Sequence, residues 1–257
     1  MKQTNAGFDR AWIIILAYLG GIAGAELITV LGNAVAGMIC YAILLFAIFG
    51  SSALDLRQRY QKTHLALALV PLIRIISLGM PVERFNYVYQ YLIVSVPLAL
   101  AVLVIIRVLD LRPSEVGLKL GTTLVQCLVG LTGIGFGLAE YYVLKPQPLM
   151  ASLTWQGVLP AAIVFLAVGF VVELTFRGVV QHCLSETMGE AGWVCGAILF
   201  AVLQIGYQSV ANCLFVLLVG LFFGWTVRKT GSLLGVTLSS ALINIVLFII
   251  IPNLVSR

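Results

Sequence analysis

Two charged residues, Glu173 and Arg177, lie inside the otherwise apolar stretch VVELTFRGVVQHC, Val171 to Cys183. On a helix, side chains four positions apart share a face, and an acid placed N-terminal to a base is the favoured order for a pair. The spacing therefore admits two readings: an ion pair that keeps helices in register, or part of a catalytic or ion-handling site. A charge near a bilayer centre costs roughly 2.5–3.5 kcal/mol on insertion scales, so each such residue needs a reason. The others are Glu26, Arg74 and Glu140. Glu26 and Glu140 fall near the ends of apolar runs, where they are expected to reach interfacial water. Arg74 is expected to snorkel or to pair with one of them, and all three are read as structural.

His64 stands at the boundary of one apolar run and His182 near the end of the run that carries Glu173. A lone imidazole in a membrane helix can ligate a haem or a chlorophyll-type pigment axially, which makes these two the weak candidates for cofactor binding. An interfacial polar role is the plainer reading of each. His182 and Cys183 are neighbours whose side chains point in different directions on a helix, a poor geometry for a base and its nucleophile. Cys40, Cys127, Cys183, Cys195 and Cys213 show no C-x-x-C spacing. Neither a disulfide framework nor a zinc knuckle is indicated, and buried, inert thiols are expected. No metal is expected; pigment or haem stays open at the two histidines.

The elements that must position these groups are membrane helices. Of 257 residues 61% are hydrophobic and 10% charged, and the mean hydropathy is +1.09, far from the composition of soluble domains. The net charge of +5 comes from Lys and Arg scattered between apolar runs, so no nucleic-acid partner is indicated. With roughly 20 apolar residues per span, the chain predicts an all-α, polytopic transmembrane helical bundle of about eight or nine spans. They fall near residues 11–30, 33–54, 64–80, 88–109, 120–143, 158–183, 191–207, 209–227 and 232–251. The break at Gly32-Asn33 is short, which leaves the number of spans in residues 1–60 open. Ala23-Gly24-Ala25 resembles a signal-peptidase site, but the run is read as a retained first helix.

With the N-terminus inside, alternate connections collect Lys2, Arg10, Arg57, Arg59, Lys62, Arg107, Arg112, Lys119, Arg228 and Lys229, while the other side receives Arg84, Lys145 and Arg257. The positive-inside rule then predicts an integral membrane protein with a cytoplasmic N-terminus, and a bacterial plasma membrane is the expected setting. The longest outer connection, LKPQPLMASLTWQG, is too short for a separate domain, so function is expected in or at the membrane. The pairs Gly20/Gly24, Gly133/Gly137 and Gly220/Gly224, and Gly178 beside Arg177, read as sites of close helix packing. No internal repeat suggests an inverted-repeat transporter, and the intramembrane acids are too few for a proton relay or a pore-lining ring.

Three segments of the final third, VVELTFRG, ILFAVLQIG and GSLLGVTLSSALIN, resemble in order and rough spacing the three motifs of the CPBP (Abi) family. This is the CAAX-protease and bacteriocin-processing family of intramembrane endopeptidases. The resemblance implies a CAAX-prenyl-protease-like core over residues 120–257, preceded by about four N-terminal transmembrane helices over 1–119. The family motifs read E-E-x-x-x-R, F-x-x-x-H and H-x-x-x-N or D. In them a glutamate serves as general base, and histidines with the Asn bind a metal or stabilise an oxyanion in a water-filled pocket.

Carried over position by position, the catalytic Glu falls on Val172, with Glu173 and Arg177 completing the first motif. In the second motif Phe200 matches and the His falls on Gln204. In the third the His falls on Ser240 and the Asn on Asn244. Valine cannot accept a proton, and Gln and Ser are feeble metal ligands beside an imidazole. What the resemblance implies is a catalytically degenerate member, with no enzyme activity expected. Gln204, Ser240 and Asn244 are expected to form a neutral hydrogen-bonded cluster in place of the metal site. The expected function is a pseudoprotease that scaffolds or binds another integral membrane protein or a lipid-like ligand. Two alternatives stand beside it: altered hydrolysis with Glu173 as base and Asn244 and Gln204 as oxyanion donors, and an accessory subunit of a larger energy-transducing or pigment-bearing complex.

Overall fold

A computed structural model describes residues 2–55, 60–80, 87–150 and 153–255, with the side chains of 2–10 and 87–88 excepted. Arg57, Arg59, Arg84, Arg257 and the side chains of Lys2 and Arg10 lie outside the described residues. The helices are α1 (Lys2–Leu31), α2 (Ala34–Leu54), α3 (Gln61–Leu67), α4 (Leu69–Gly79), α5 (Tyr87–Val108), α6 (Thr123–Leu144), α7 (Trp155–Glu173), α8 (Gln181–Met188), α9 (Ala191–Val202), α10 (Val210–Thr230), α11 (Leu234–Ile245) and α12 (Ile251–Val255). Two wide π-helical stretches, Leu174–Val180 and Val246–Ile250, join α7 to α8 and α11 to α12, and a tight 3-10 stretch, Leu203–Tyr207, follows α9.

Among the described residues, eight helices are long and apolar enough to cross a membrane, and Ala191–Tyr207 is a shorter apolar helix. The expectation of eight or nine spans corresponds to these eight and that shorter ninth. The short break after α1 is a true helix end: the Asn33 side chain accepts the Ala36 N–H at 2.8 Å and caps α2. Large apolar side chains such as Leu16, Phe46, Leu103 and Leu218 stand exposed on the outside of the bundle, as lipid-facing residues do. Tyr142 and Trp155 stand exposed on either side of the 145–154 connection, where aromatic rings suit a membrane–water boundary.

Helix α11 packs against both α6 and α7. Glycine makes this approach possible: a Cβ on Gly133 would sit 2.8 Å from Ser239 Cα, and one on Gly137 would sit 2.8 Å from Val246 Cβ. The Gly220/Gly224 pair faces Ala197, Trp193 and the Arg177 side chain. The Gly20/Gly24 pair packs against nothing, with no neighbour within 4 Å of either position, which corrects the expectation of a contact there. At Gly178 the close neighbour is the carbonyl of Val116, 2.9 Å from an added Cβ. That contact is with the 109–122 connection and not with a helix. The same connection accepts the Leu233 N–H at the Gly117 carbonyl, 3.0 Å away, so it wedges between the end of the first motif-bearing segment and the start of the third.

One end of the bundle gathers the described basic residues of the alternate connections. Lys62 pairs with Glu186 at 3.2 Å, Arg228 pairs with Glu190, and Lys119 lies against Gly231. Between them the exposed Glu115 carboxylate accepts the Arg112 N–H at 2.7 Å, a bond that holds its carboxyl below the usual value.

The N-terminal helices share a core with the C-terminal ones. Ile15, Ile22, Tyr41 and Ile48 belong to one buried cluster with Phe176, Val180, Leu184 and Leu199. Glu26 is fully buried, away from the interfacial water expected for it. Its carboxylate accepts the Tyr41 hydroxyl at 2.7 Å and Arg74 Nη2 at 2.7 Å, so Arg74 chooses Glu26 and not Glu140. A Cβ on Gly206 would lie 3.4 Å from Arg74 Nη2, which sets this charged clamp directly behind the 3-10 stretch. A hydrogen bond to a charged partner contributes about 1.5–3 kcal/mol, so Tyr41→Phe is expected to lower the unfolding free energy by that amount, measured by reversible unfolding in mixed micelles. Cys183 and Cys195 are buried as expected, while Cys127 is exposed on α6; its position on the lipid side of the helix corrects the expectation for that thiol.

Candidate functional site

Helix α7, the π-helical stretch and α8 form one rod, Trp155–Met188, which carries the first motif. Glu173 ends α7 and Arg177 lies in the π-helical stretch. Their side chains meet, Arg177 Nε to Glu173 Oε2, at 3.3 Å, with residue exposures of 1% and 4%. Two neighbouring helices build the slot that holds the guanidinium. Its carbon lies 4.3 Å from the centre of the Phe200 ring of α9 and 5.7 Å from that of Phe223 of α10, an arrangement in which ring faces attract the cation. Gly220 leaves the space: a Cβ there would be 3.2 Å from Arg177 Nη2. Among the described residues, Arg177 Nη1 and Nη2 and Glu173 Oε2 have no hydrogen-bond partner. The pair thus ties the motif rod to α9 and α10 through charge and ring contact.

Beyond this pair, Glu173 borders a cavity of about 130 Å³ that Gln204, Ser240 and Asn244 also line. The three segments with motif resemblance therefore deliver five of the expected positions, Phe200 included, to one place. The expected neutral cluster among Gln204, Ser240 and Asn244 is not formed as such. Asn244 Nδ2 donates to the Ser240 backbone carbonyl at 3.0 Å, one turn earlier on its own helix, and the neighbouring Ser239 hydroxyl turns toward Thr132 of α6 at 3.1 Å.

Val172 does not line this cavity. It packs among buried apolar residues on the other side of α7 and borders a separate apolar groove of about 320 Å³ with Val94, Leu98 and Val168. Tyr91 lines both spaces.

Neither histidine reaches the cavity. His64 is buried, with Nδ1 3.1 Å from the Tyr18 hydroxyl and its ring edge-on to Tyr18, so the boundary position expected for it is an interior one. His182 Nε2 lies 3.4 Å from Glu186 Oε1 on α8, near the end of the bundle that carries Lys62. Among the described residues no group of three His, Cys, Asp or Glu side chains could hold a metal ion. A protein zinc site takes three or four ligands from imidazole, thiolate and carboxylate. The cavity supplies two carboxylates, one already paired with Arg177, together with neutral amides and hydroxyls. Those residues do not fit the metal that the family resemblance implies.

Sequence reasoning placed Glu140 at interfacial water and singled out neither Tyr91 nor Tyr207, yet all three line the cavity. Glu140 was visible as a charge in an apolar run, but only the packing of α6 on α11 turns it inward. The two tyrosines carry no sequence signal that separates them from interfacial aromatics. No curated protein and no solved structure matches the chain. Residues 154–246, which hold Val172, Glu173, Arg177, Gln204, Ser240 and Asn244, match the family model described as Rce1-like, type II CAAX prenyl endopeptidase, and the CPBP resemblance read from the three motifs is thereby shown for that segment.

Proposed function

We propose that this integral membrane protein is a pseudoprotease: it keeps the architecture of an intramembrane endopeptidase and uses its interior cavity to bind, or its helices to scaffold, another membrane protein or a lipid-like ligand. One observation carries the reading. The motif positions converge on one cavity, yet Gln204 and Ser240 stand there in place of histidines, and Val172 faces apolar packing instead of the cavity. The remaining acid of the first motif, Glu173, is held by Arg177 and serves the helix contact. We place the basic end of the bundle, and with it the N-terminus, on the cytoplasmic side of a bacterial plasma membrane. The cluster of Lys62, Lys119 and Arg228 at that end supports this orientation.

The test is co-purification from native membranes in mild detergent, combined with metal analysis of the pure protein. A stoichiometric, unprocessed membrane partner and substoichiometric zinc are the expected results. One bound zinc per chain, or a partner recovered only as cleaved fragments, would contradict the reading.

The convergence of Glu173, Gln204 and Asn244 on one cavity favours a second reading, altered hydrolysis with Glu173 as base and the two amides as oxyanion donors. It requires Glu173 to leave Arg177, and it leaves Asn244 to serve while its amide is engaged with the Ser240 carbonyl. The first reading needs neither rearrangement.

A further inference from the structure

We infer that the cavity takes an alkylammonium group, held by Glu140. The inference rests on the non-catalytic reading in one respect: the polar cavity is free to bind a ligand that is not a substrate.

The charge balance of the cavity motivates it. Glu173 and Arg177 answer each other, but Glu140, which lines the same cavity, has no ion-pair or hydrogen-bond partner among the described residues. Lys145, just past the end of α6, is exposed and forms no ion pair there. Glu140 sits just before the last turn of α6, whose C-terminal residue Leu144 lines the cavity. The carbonyl end of a helix carries partial negative charge and favours a cation. The second carboxylate of the cavity wall is Glu173, whose Oε2 faces Arg177 Nε at 3.3 Å. Two carboxylates and a helix C-terminus are set against one guanidinium, which leaves a site short of one positive charge in a low-dielectric interior.

Shape and lining select an organic cation over a bare metal ion. Tyr91, Tyr207 and Phe248 present ring surface to the cavity, and ring faces attract ammonium groups. A metal ion would find only two carboxylates and no imidazole. A volume of about 130 Å³ gives room for a short amine and too little for a folded peptide or a nucleotide. Tyr207, which lines the cavity, is 55% exposed at the surface of the bundle. The apolar groove on the far side of Tyr91 would receive the chain of an amine that has one. The ammonium group thus has two sources, a small soluble amine or the amine of a lipid-like molecule.

The test uses the full-length protein in a neutral maltoside detergent, with thermal unfolding and calorimetric titration against ethylammonium chloride, octylammonium chloride and, at equal ionic strength, sodium chloride. Ethylammonium is expected to raise the midpoint above the sodium control. Glu140→Gln, which removes the charge at constant shape, is expected to weaken ethylammonium binding by at least about tenfold. Leu144→Lys supplies the cation from the chain itself and is expected to show the same loss, which guards against misreading a folding defect in either variant. If the source is lipid-like, octylammonium binds more tightly by up to about fourfold for each methylene that enters the groove, and Val94→Trp removes that gain while leaving ethylammonium binding intact. Equal affinity of the two amines identifies a small soluble amine. Equal stabilisation by ethylammonium and sodium overturns the inference, as does an undiminished amine response in Glu140→Gln. Cleavage of peptides by the same preparation would instead contradict the non-catalytic reading, and the amine response would be scored independently of it.

Discussion

Replacing Arg177 by methionine is expected to lower the unfolding free energy by about 3–5 kcal/mol, the usual consequence of stripping the partner from a buried charge. Glu173, at 1% exposure, would be left with no cation beside it, and the Phe200 and Phe223 rings would lose the guanidinium they face. The double variant Glu173→Gln/Arg177→Met is expected to recover most of that loss. Replacing both members of a buried pair by neutral groups of similar size is often neutral or stabilising, because the desolvation cost of both charges disappears. Reversible unfolding in mixed micelles on wild type, both single variants and the double variant completes the cycle. A strongly favourable coupling between the two positions is the expected result. An Arg177→Met variant within about 0.5 kcal/mol of wild type, the range of a surface change, would remove the pair's structural role.

The second large effect is steric. Gly133→Leu is expected to cost at least about 3 kcal/mol, the upper end of overpacking penalties, because the first added atom already meets backbone. A Cβ at that position lies 2.8 Å from Ser239 Cα and in contact with the Ser239 carbonyl oxygen, and a helix backbone cannot swing aside as a side chain can. The displaced element is α11, the helix that carries Ser240 and Asn244 to the cavity, so the same substitution is expected to abolish ammonium binding. Gly20→Leu is the matched control. Nothing lies within 4 Å of Gly20, and a change within about 0.5 kcal/mol is expected there. Thermal midpoints of the two variants in one detergent make the comparison.

These contrasts also show what a linear reading of the chain can reach. Apolar runs of about 20 residues locate membrane helices well because a bilayer sets their length from outside. Even the short break at Gly32-Asn33 is a true one, closed by the Asn33 cap. The Glu173–Arg177 contact is legible for a similar reason: four positions on one helix place two side chains together whatever the rest of the fold does. Pairings between helices are another matter. Nothing along the chain tells whether Arg74 meets Glu26 or Glu140, because the choice depends on how α1, α2 and α4 pack. Small-residue spacing is equally ambiguous, since Gly133/Gly137 faces α11 while Gly20/Gly24 faces nothing.

The site divides along the same line. The family resemblance names Val172, Glu173, Arg177, Phe200, Gln204, Ser240 and Asn244, and five of the seven line one cavity. That Val172 turns instead toward apolar packing, and that Glu140 enters from α6, are consequences of helix rotation. Rotation is set by the Gly133 and Gly137 contacts with α11 and by the π-helical stretch Leu174–Val180, which widens the rod after Glu173. Neither feature leaves a periodic mark in the sequence.

The most direct test of the proposed non-catalytic role is hydrolysis itself. Purified protein in neutral detergent is incubated with prenylated CAAX-type and leader-type peptides, with and without added zinc, and the products are followed by mass spectrometry. Wild type and the stability-preserving Glu173→Gln/Arg177→Met variant are both expected to give no product above the buffer control. Turnover by the wild type that disappears in the variant would contradict the account, because it would make Glu173 a working base and not one half of a structural pair.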